Sequence, residues 1–123
     1  MVWKKRMDET ATLMSILAMK HFLADYVFNS IPSNKHIYGS SGSIRHLSIH
    51  MFWCFAVLIW VLPLDYVIMA TAFDGFIHYH EDYIKSKFIY KHKELSIHSR
   101  RIITGFDQLV HILTYILIAW AVT

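Results

Sequence analysis

The amino-acid sequence predicts an all-α fold, a four-helix transmembrane bundle that holds an intramembrane His/Asp metal site. The chain has 123 residues, of which 55% are hydrophobic, and its mean hydropathy of +0.36 is high for a soluble domain of that length. Its apolar residues form four segments of about 20 residues, the length that crosses a hydrocarbon core of about 30 Å. Each segment carries a pair of His or Asp residues spaced i, i+4.

Turn-forming residues separate the four segments. A polar stretch containing Pro32 and Gly39 follows the first segment. Pro63 leaves space only for a tight hairpin between the second and third, so these two helices are expected to be antiparallel neighbours. The predicted helices are residues 10–28, 44–62, 65–84 and 102–122 of a single membrane domain spanning 1–123.

The distribution of charge favours a membrane protein over the alternative, a soluble bundle with unusually apolar helices. The twelve Lys and Arg residues give a net charge of +3 and cluster outside the apolar segments, as in loops that face phospholipid head groups. Nucleic-acid binding is therefore not expected. Lys4 to Arg6 precede the first apolar segment as in a signal peptide, but that segment contains Lys20 and lacks a small-residue cleavage site. We expect a retained first helix.

The His and Asp pairs are the strongest functional signal, because ionisable groups inside membrane spans are costly. Spacing of i, i+4 places both members on one helix face, and the sequence has five such pairs where random placement would give about 1.7. In each helix one histidine lies 11 to 15 residues from the end of the bundle that contains Pro63. At about 1.5 Å per residue these histidines share one level to within about 6 Å. The predicted metal ligands are His21, Asp25, His46, His50, His78, Asp82, Asp107 and His111.

Imidazole and carboxylate groups together suit a borderline divalent ion. We expect one or two ions, with zinc first and manganese or iron as alternatives. The predicted bridging ligands and catalytic bases are Asp25, Asp82 and Asp107. The residues expected to orient the ligands are Asn29, Asp74 and Gln108. The alternative is that these groups form structural hydrogen bonds between membrane helices.

Several motifs carry a resemblance to a known family over nearly the whole chain. They are HFLADYVFN, the dipeptide Asn34-Lys35, HLSIH, HYHEDYIK and DQLVH. On these motifs the chain resembles the bacterial and phage membrane proteins grouped as domain of unknown function 3307, with Asn29 where glutamine is usual. The resemblance implies a four-helix fold in the bacterial inner membrane with a metal centre. The chain also resembles the separate group called membrane-bound metal-dependent hydrolases.

Basic residues surround the expected mouth of the site. Eight of the twelve Lys and Arg residues lie in or beside loops one and three, and the predicted substrate-binding residues are Lys35, Arg45 and Lys85. Such groups attract an anionic substrate and stabilise negative charge that develops during reaction. The positive-inside rule explains the same residues without a substrate, and it predicts that loops one and three are cytoplasmic.

The leading functional expectation is a metal-dependent hydrolase acting on a phosphoester or another polar bond in an anionic small molecule or lipid. A di-iron oxidase or hydroxylase remains an alternative, as does a metal-ion or proton carrier. Four short helices make a cramped carrier unless the protein forms a homo-oligomer. The residues expected outside the site include Glu81, placed off the motif face, and Tyr115 and Trp60, interpreted as lipid-facing bulk or interfacial anchors.

Overall fold

The structure, a computed structural model, describes residues 1–28 and 34–123. Within these residues it contains four helices and no strand, which confirms the predicted all-α class and the number of helices. The helices are α1 Val2–Phe22, α2 Ser41–Leu58, α3 Leu64–Lys91 and α4 Ile97–Val122. One π-helical turn, Leu23–Val27, continues α1.

The ends of the helices differ from the predicted bounds. α1 begins at Val2 rather than residue 10, α3 continues to Lys91 rather than ending at residue 84, and α4 begins at Ile97 rather than residue 102. Much of the basic stretch expected in loop three is therefore helical. Lys, Arg and Glu are good helix formers, so a criterion based on apolar residues ends a helix too early. α2, in contrast, is shorter than predicted at its end: it stops at Leu58 rather than residue 62, before the turn that leads into Pro63.

Local hydrogen bonds define the starts of α2 and α4. Ser40 Oγ accepts from the Ser43 amide at 3.2 Å, and Ser96 Oγ accepts from the Ser99 amide at 3.1 Å. Serine at this position satisfies one of the amide groups that a helix start leaves without a partner. Before α2, Gly39 has a φ of +76°, a conformation open to glycine, and its amide donates to Tyr79 Oη at 2.6 Å. This bond ties the first connection to α3.

The four helices form a closed ring in which each contacts two others. Successive helices are in contact and α4 returns to α1, so α1 lies diagonally opposite α3. At one end of the bundle, Thr10 Oγ1 and Thr123 Oγ1 are 3.0 Å apart, close to the turn before Pro63. We call this the Pro63 end, and the opposite end, with the two longer connections, the loop end. The arrangement is up-down-up-down, as the tight hairpin predicted.

The interior of the bundle changes character along its length. Near the Pro63 end it is an apolar core, in which Leu17, Leu58 and Val67 have no exposed surface. Toward the loop end the interior is filled by histidine and carboxylate side chains. α2 and α3 approach closely at this boundary, since a Cβ on Gly75 would lie 2.9 Å from Met51 Cγ.

The outer surface is strongly apolar. Residues of α4 such as Phe106, Ile112 and Leu117 are about half exposed or more, and the outward faces of α2 and α3 also carry large apolar side chains. By length and composition, α4 is the one helix in the described part of the chain that could cross a membrane. The sequence predicted four such helices.

Candidate metal centre

All eight predicted ligands lie in the interior of the loop half of the bundle. The buried ones are His46, His50, His78, Asp82, Asp107 and His111. His21 and Asp25, at the end of α1, keep 12% and 17% of their side-chain surface exposed. Asp25 belongs to the π-helical turn, a deviation that often marks functional sites.

The first group of converging atoms joins α1, α2 and α3. Ligand atoms of Asp25, His46, His50 and His78 all lie within 4.8 Å of one another. Asp25 Oδ1 is 2.6 Å from His50 Nε2 and 3.3 Å from His46 Nε2, and His46 Nε2 is 3.1 Å from His78 Nε2. Two neutral imidazole nitrogens this close can share one hydrogen or one metal ion.

The second group joins α3 and α4 and consists of Glu81, Asp82, Asp107 and His111. His111 Nε2 is 3.0 Å from Asp107 Oδ1 and 3.3 Å from Glu81 Oε2. All three atoms are buried, yet none of them has a hydrogen-bond partner of acceptable geometry among the described residues. Buried polar atoms normally have a partner, so a convergence of this kind is typical of a cation site.

Asp82 and His78 connect the two groups. Asp82 Oδ2 is 3.1 Å from His78 Nε2 and 3.2 Å from His46 Nε2, and a third possible ligand set combines Asp82 with His78 and His111. Buried His, Asp and Glu groups could therefore hold a metal ion at this level of the bundle. His21 is not part of any of these sets within the described residues.

Glu81 is a site residue that the sequence interpretation missed. It was placed off the motif face, which is wrong, because its carboxylate faces His111 inside the bundle. Helical spacing contained the signal, since residues 78, 81, 82 and 85 stand at i, i+3, i+4 and i+7 and share one face.

Tyr115 was also misplaced as a lipid-facing residue. It is 2% exposed, and its hydroxyl lies 2.9 Å from His21 Nδ1. Tyr115 follows His111 by one helical turn and therefore shares its inward face. Trp60 and Trp120 do face outward, with 86% and 63% of their surface exposed.

A buried ion pair lies between the candidate centre and the apolar core. Lys20 has no exposed surface and pairs with Asp74, which is 1% exposed. Asp74 stands one turn from His78, but its partner is Lys20, whose Nζ is 3.1 Å from His50 Nδ1. No role in the site was expected for Lys20.

The other residues predicted around the ligands occupy different places. Gln108 Oε1 is 2.9 Å from His21 Nε2, and its amide nitrogen donates to Asp107 Oδ2 at 3.2 Å. Arg45 is exposed on α2, next to the buried His46. Asn29 lies outside the described residues.

Two lysines approach the carboxylates from the loop end. Lys35 Nζ is 3.4 Å from Asp82 Oδ2, and Lys85 Nζ is 2.8 Å from Asp107 Oδ2. Among the described residues, two ammonium groups, those of Lys35 and Lys85, contact the carboxylates of the two ligand groups. A third lysine, the buried Lys20, is paired with Asp74 instead. The carboxylates of the two groups are those of Asp25, Glu81, Asp82 and Asp107. The carboxylates of the two groups outnumber the ammonium groups that contact them, an arrangement that a bound cation would stabilise.

A small space between α2 and α3 lies at the site. It is lined by Lys35, Ser43, His46, Tyr79 and Asp82 among others, and its volume of about 10 Å³ fits one water-sized occupant. Leu17, Leu58 and Val67 fill the interior on the Pro63 side. The interior is therefore closed on the Pro63 side.

Comparisons with known proteins identify no relative. No protein-family model, no curated protein and no solved structure matches the chain.

Proposed function

We propose that the protein is an integral membrane metalloenzyme, a hydrolase that cleaves a phosphoester or another polar bond in an anionic substrate. The observation that carries this proposal is the convergence of buried His, Asp and Glu atoms without hydrogen-bond partners, next to Lys35 and Lys85. Most of these atoms belong to residues of the motifs that resemble the domain of unknown function 3307 family. On these motifs we also propose that the chain is a member of that family.

The inverted polarity of the bundle supports membrane insertion of all four helices. Its polar groups are inside, whereas its outer surface carries large apolar residues such as Phe52, Met69 and Leu117. A soluble protein rarely exposes apolar surface of this extent. We place the protein in the bacterial inner membrane, with the loop end in the cytoplasm because of its basic residues.

A metal ion accounts for the carboxylate-rich interior better than structural hydrogen bonding does. Buried polar atoms without a partner are destabilising, and Asp107 Oδ1 and Glu81 Oε2 lack hydrogen bonds within the described residues, although Lys85 pairs with the other oxygen of Asp107. The two ligand groups have room for one or two ions, with Asp82 between them. Zinc suits this mixture of nitrogen and oxygen ligands, as do manganese and iron.

The side chains around the ion have separate tasks in the proposed reaction. A bound divalent ion supplies Lewis acidity and makes water easier to deprotonate. Lys35 and Lys85 would bind anionic oxygens of the substrate and stabilise the charge of the transition state. A carboxylate that does not bind the ion, from among Asp25, Asp82 and Asp107, would accept the proton of the attacking water.

The carboxylate-rich second group favours one alternative, a di-iron oxidase or hydroxylase. Helical bundles that hold di-iron centres use several carboxylates and histidines from facing helices, as Glu81, Asp82, Asp107 and His111 do here. A carrier is less well supported, because the apolar core closes the interior on the Pro63 side.

The test is elemental analysis and activity of the purified full-length chain in nanodiscs. We expect a colourless protein with stoichiometric zinc or manganese that hydrolyses p-nitrophenyl phosphate or phosphatidic acid, and that loses this activity on chelation and recovers it with added metal. A protein that contains iron, absorbs visible light and consumes oxygen would favour the di-iron oxidase over the hydrolase. Metal-free protein that does not take up zinc, manganese or iron would refute the metalloenzyme.

The role of Lys35 is tested with a matched control. Lys35→Met should lower kcat/KM by about 10²-fold, the effect of removing one donor to a developing oxyanion, and leave the metal content unchanged. Lys87→Met removes an exposed lysine whose Nζ bonds Tyr83 Oη, and it should retain wild-type activity. Equal activities of the two variants would contradict a substrate role for Lys35.

A further inference from the structure

Lys20 is the starting point, because each hydrogen of its ammonium group has an acceptor. An ammonium group has three donors and no acceptor. Its Nζ contacts Asp74 Oδ2, His50 Nδ1 at 3.1 Å and Tyr115 Oη at 3.3 Å. Beside this ammonium group, His50 Nδ1 acts as the acceptor. A neutral imidazole carries one hydrogen, so the hydrogen of His50 is on Nε2.

The same ammonium group acts on His21 through Tyr115. Tyr115 Oη accepts from Lys20, and the hydroxyl's own hydrogen is directed to His21 Nδ1 at 2.9 Å. His21 then carries its hydrogen on Nε2. That nitrogen faces Asp25 Oδ2 at 3.0 Å and Gln108 Oε1 at 2.9 Å.

His50 and His21 both contact one carboxylate, that of Asp25. His50 Nε2 is 2.6 Å from Asp25 Oδ1, and His21 Nε2 is 3.0 Å from Asp25 Oδ2. His50 Nε2 thus donates to one oxygen of Asp25, while His21 Nε2, which is hydrogen-bonded to Gln108 Oε1, lies in contact with the other. A nitrogen that carries a hydrogen has no lone pair for a metal ion.

We propose that Lys20 fixes the tautomers of His50 and His21, so that these two histidines hold Asp25 in position and do not bind the metal ion. The inference rests on the proposed metal site and removes His21 and His50 from its predicted ligands. The remaining ligands are Asp25, His46, His78, Glu81, Asp82, Asp107 and His111.

His46 and His78 lack a comparable constraint. Their Nδ1 atoms are buried and have no hydrogen-bond partner in the described part of the chain. No such bond forces their hydrogen onto Nε2, which leaves the facing Nε2 atoms, 3.1 Å apart, able to bind an ion. The histidines of the centre therefore fall into two classes by what contacts their Nδ1.

Asp74 has a defined part in this arrangement. A bare ammonium group next to a divalent ion would weaken binding of that ion by repulsion. The carboxylate of Asp74 neutralises Lys20 inside the bundle, so the charge that orients His50 adds little net positive field at the metal site.

The first test compares two histidines one turn apart on α2. Zinc binding is measured for the full-length chain in nanodiscs as wild type, His50→Gln and His46→Gln, with His21→Gln and His78→Gln as the second pair. His50→Gln and His21→Gln should keep the wild-type zinc-to-protein ratio at saturation and weaken binding by about 10- to 100-fold, as loss of an orienting partner does. His46→Gln and His78→Gln should lose stoichiometric zinc. Loss of zinc in His50→Gln equal to that in His46→Gln would overturn the inference.

The second test reads the tautomers directly by ¹⁵N NMR of histidine-labelled protein. We expect hydrogen on Nε2 of His50 and His21 in the wild type, both metal-free and with zinc added, and a mixture of tautomers for His50 in the charge-free double variant Lys20→Met/Asp74→Asn. Hydrogen on Nδ1 of His50 in the wild type, or an unchanged single tautomer in the double variant, would overturn the assignment. A wild type that binds no metal would refute the proposed function, and the NMR experiment would still test Lys20.

Discussion

Among individual side chains, Glu81 most directly tests how the centre is built. Its Oε2 lies 3.3 Å from His111 Nε2 and has no hydrogen bond within the described residues. Replacing it by glutamine preserves the shape of the side chain but removes the charge and one oxygen ligand. Glu81 is therefore a good reporter for the second ligand group.

We expect Glu81→Gln to weaken zinc binding by at least about tenfold, because a ligand to the second group is lost. Glu94→Gln is the matched control, since the Glu94 side chain is 75% exposed in the connection between α3 and α4. Competition with a fluorescent zinc chelator measures both affinities. Wild-type affinity in Glu81→Gln would exclude Glu81 from the metal site.

Between helices, the close approach of α2 and α3 sets the distance across the first ligand group. Gly75 lies about one turn before His78 on α3 and faces Met51 and Leu47 of α2. A larger side chain at this position must displace Met51 or separate the helices. The contact between His46 and His78 depends on the same separation.

We expect Gly75→Leu to lower stability by about 1–3 kcal/mol through overpacking and to reduce zinc content. Gly105→Leu on α4 is the control, because a Cβ there meets no atom within 4 Å. Thermal unfolding in detergent and metal analysis report the two effects. If both variants bind zinc like the wild type, the spacing of α2 and α3 does not control the site.

Helix-wide hydropathy describes these helices poorly because it averages inward and outward faces. α3 carries Asp74, Glu81 and Asp82 toward the interior, yet Phe76 and Ile84 on its outer surface are more than 60% exposed. In α4 the charged inward residues are fewer than in α3, and α4 is the one helix in the described part of the chain that meets a simple criterion for a membrane span. A substitution on an outward face can distinguish a membrane-spanning bundle from a soluble one.

For the bundle as a unit, we expect Ile112→Arg, near the middle of α4, to disfavour membrane insertion by about 2.5–3.5 kcal/mol. In a soluble bundle the same exposed position would tolerate arginine to within about 0.5 kcal/mol. Ile97→Arg, at the first residue of α4, is the control. The yield of protein that resists carbonate extraction measures insertion, and equal yields for both variants would argue against a spanning α4.

The orientation of the bundle can be tested by labelling engineered cysteines in intact cells. Cys54 has no exposed surface and should not react. With the loop end in the cytoplasm, a membrane-impermeant maleimide should label Val2→Cys from outside and leave Ser41→Cys unlabelled until the cells are opened. The reverse pattern would place the loop end outside.

Spacing along the chain was sufficient to predict the number of helices, the tight turn before Pro63 and a common depth for the His and Asp pairs. These features depend on local spacing along the chain, since i, i+4 pairs share a face and antiparallel helices have a simple register. The structure agrees on the helices and the turn, and it brings most of the predicted His and Asp residues into possible ligand sets, from which His21 is missing within the described residues. The helix ends were predicted less well, because charged residues continue a helix as readily as apolar ones.

Tertiary packing decided which polar groups face one another. Glu81 joins the site because α3 packs beside α4, and Tyr115 joins it because α4 packs beside α1. The burial of Lys20 follows from contacts with Asp74 on α3 and His50 on α2. These partners are 30 or more residues away in the chain. The physical reason is that a hydrogen bond or ion pair is set by distance in space, and positions along one helix do not specify the side chains that the neighbouring helices present.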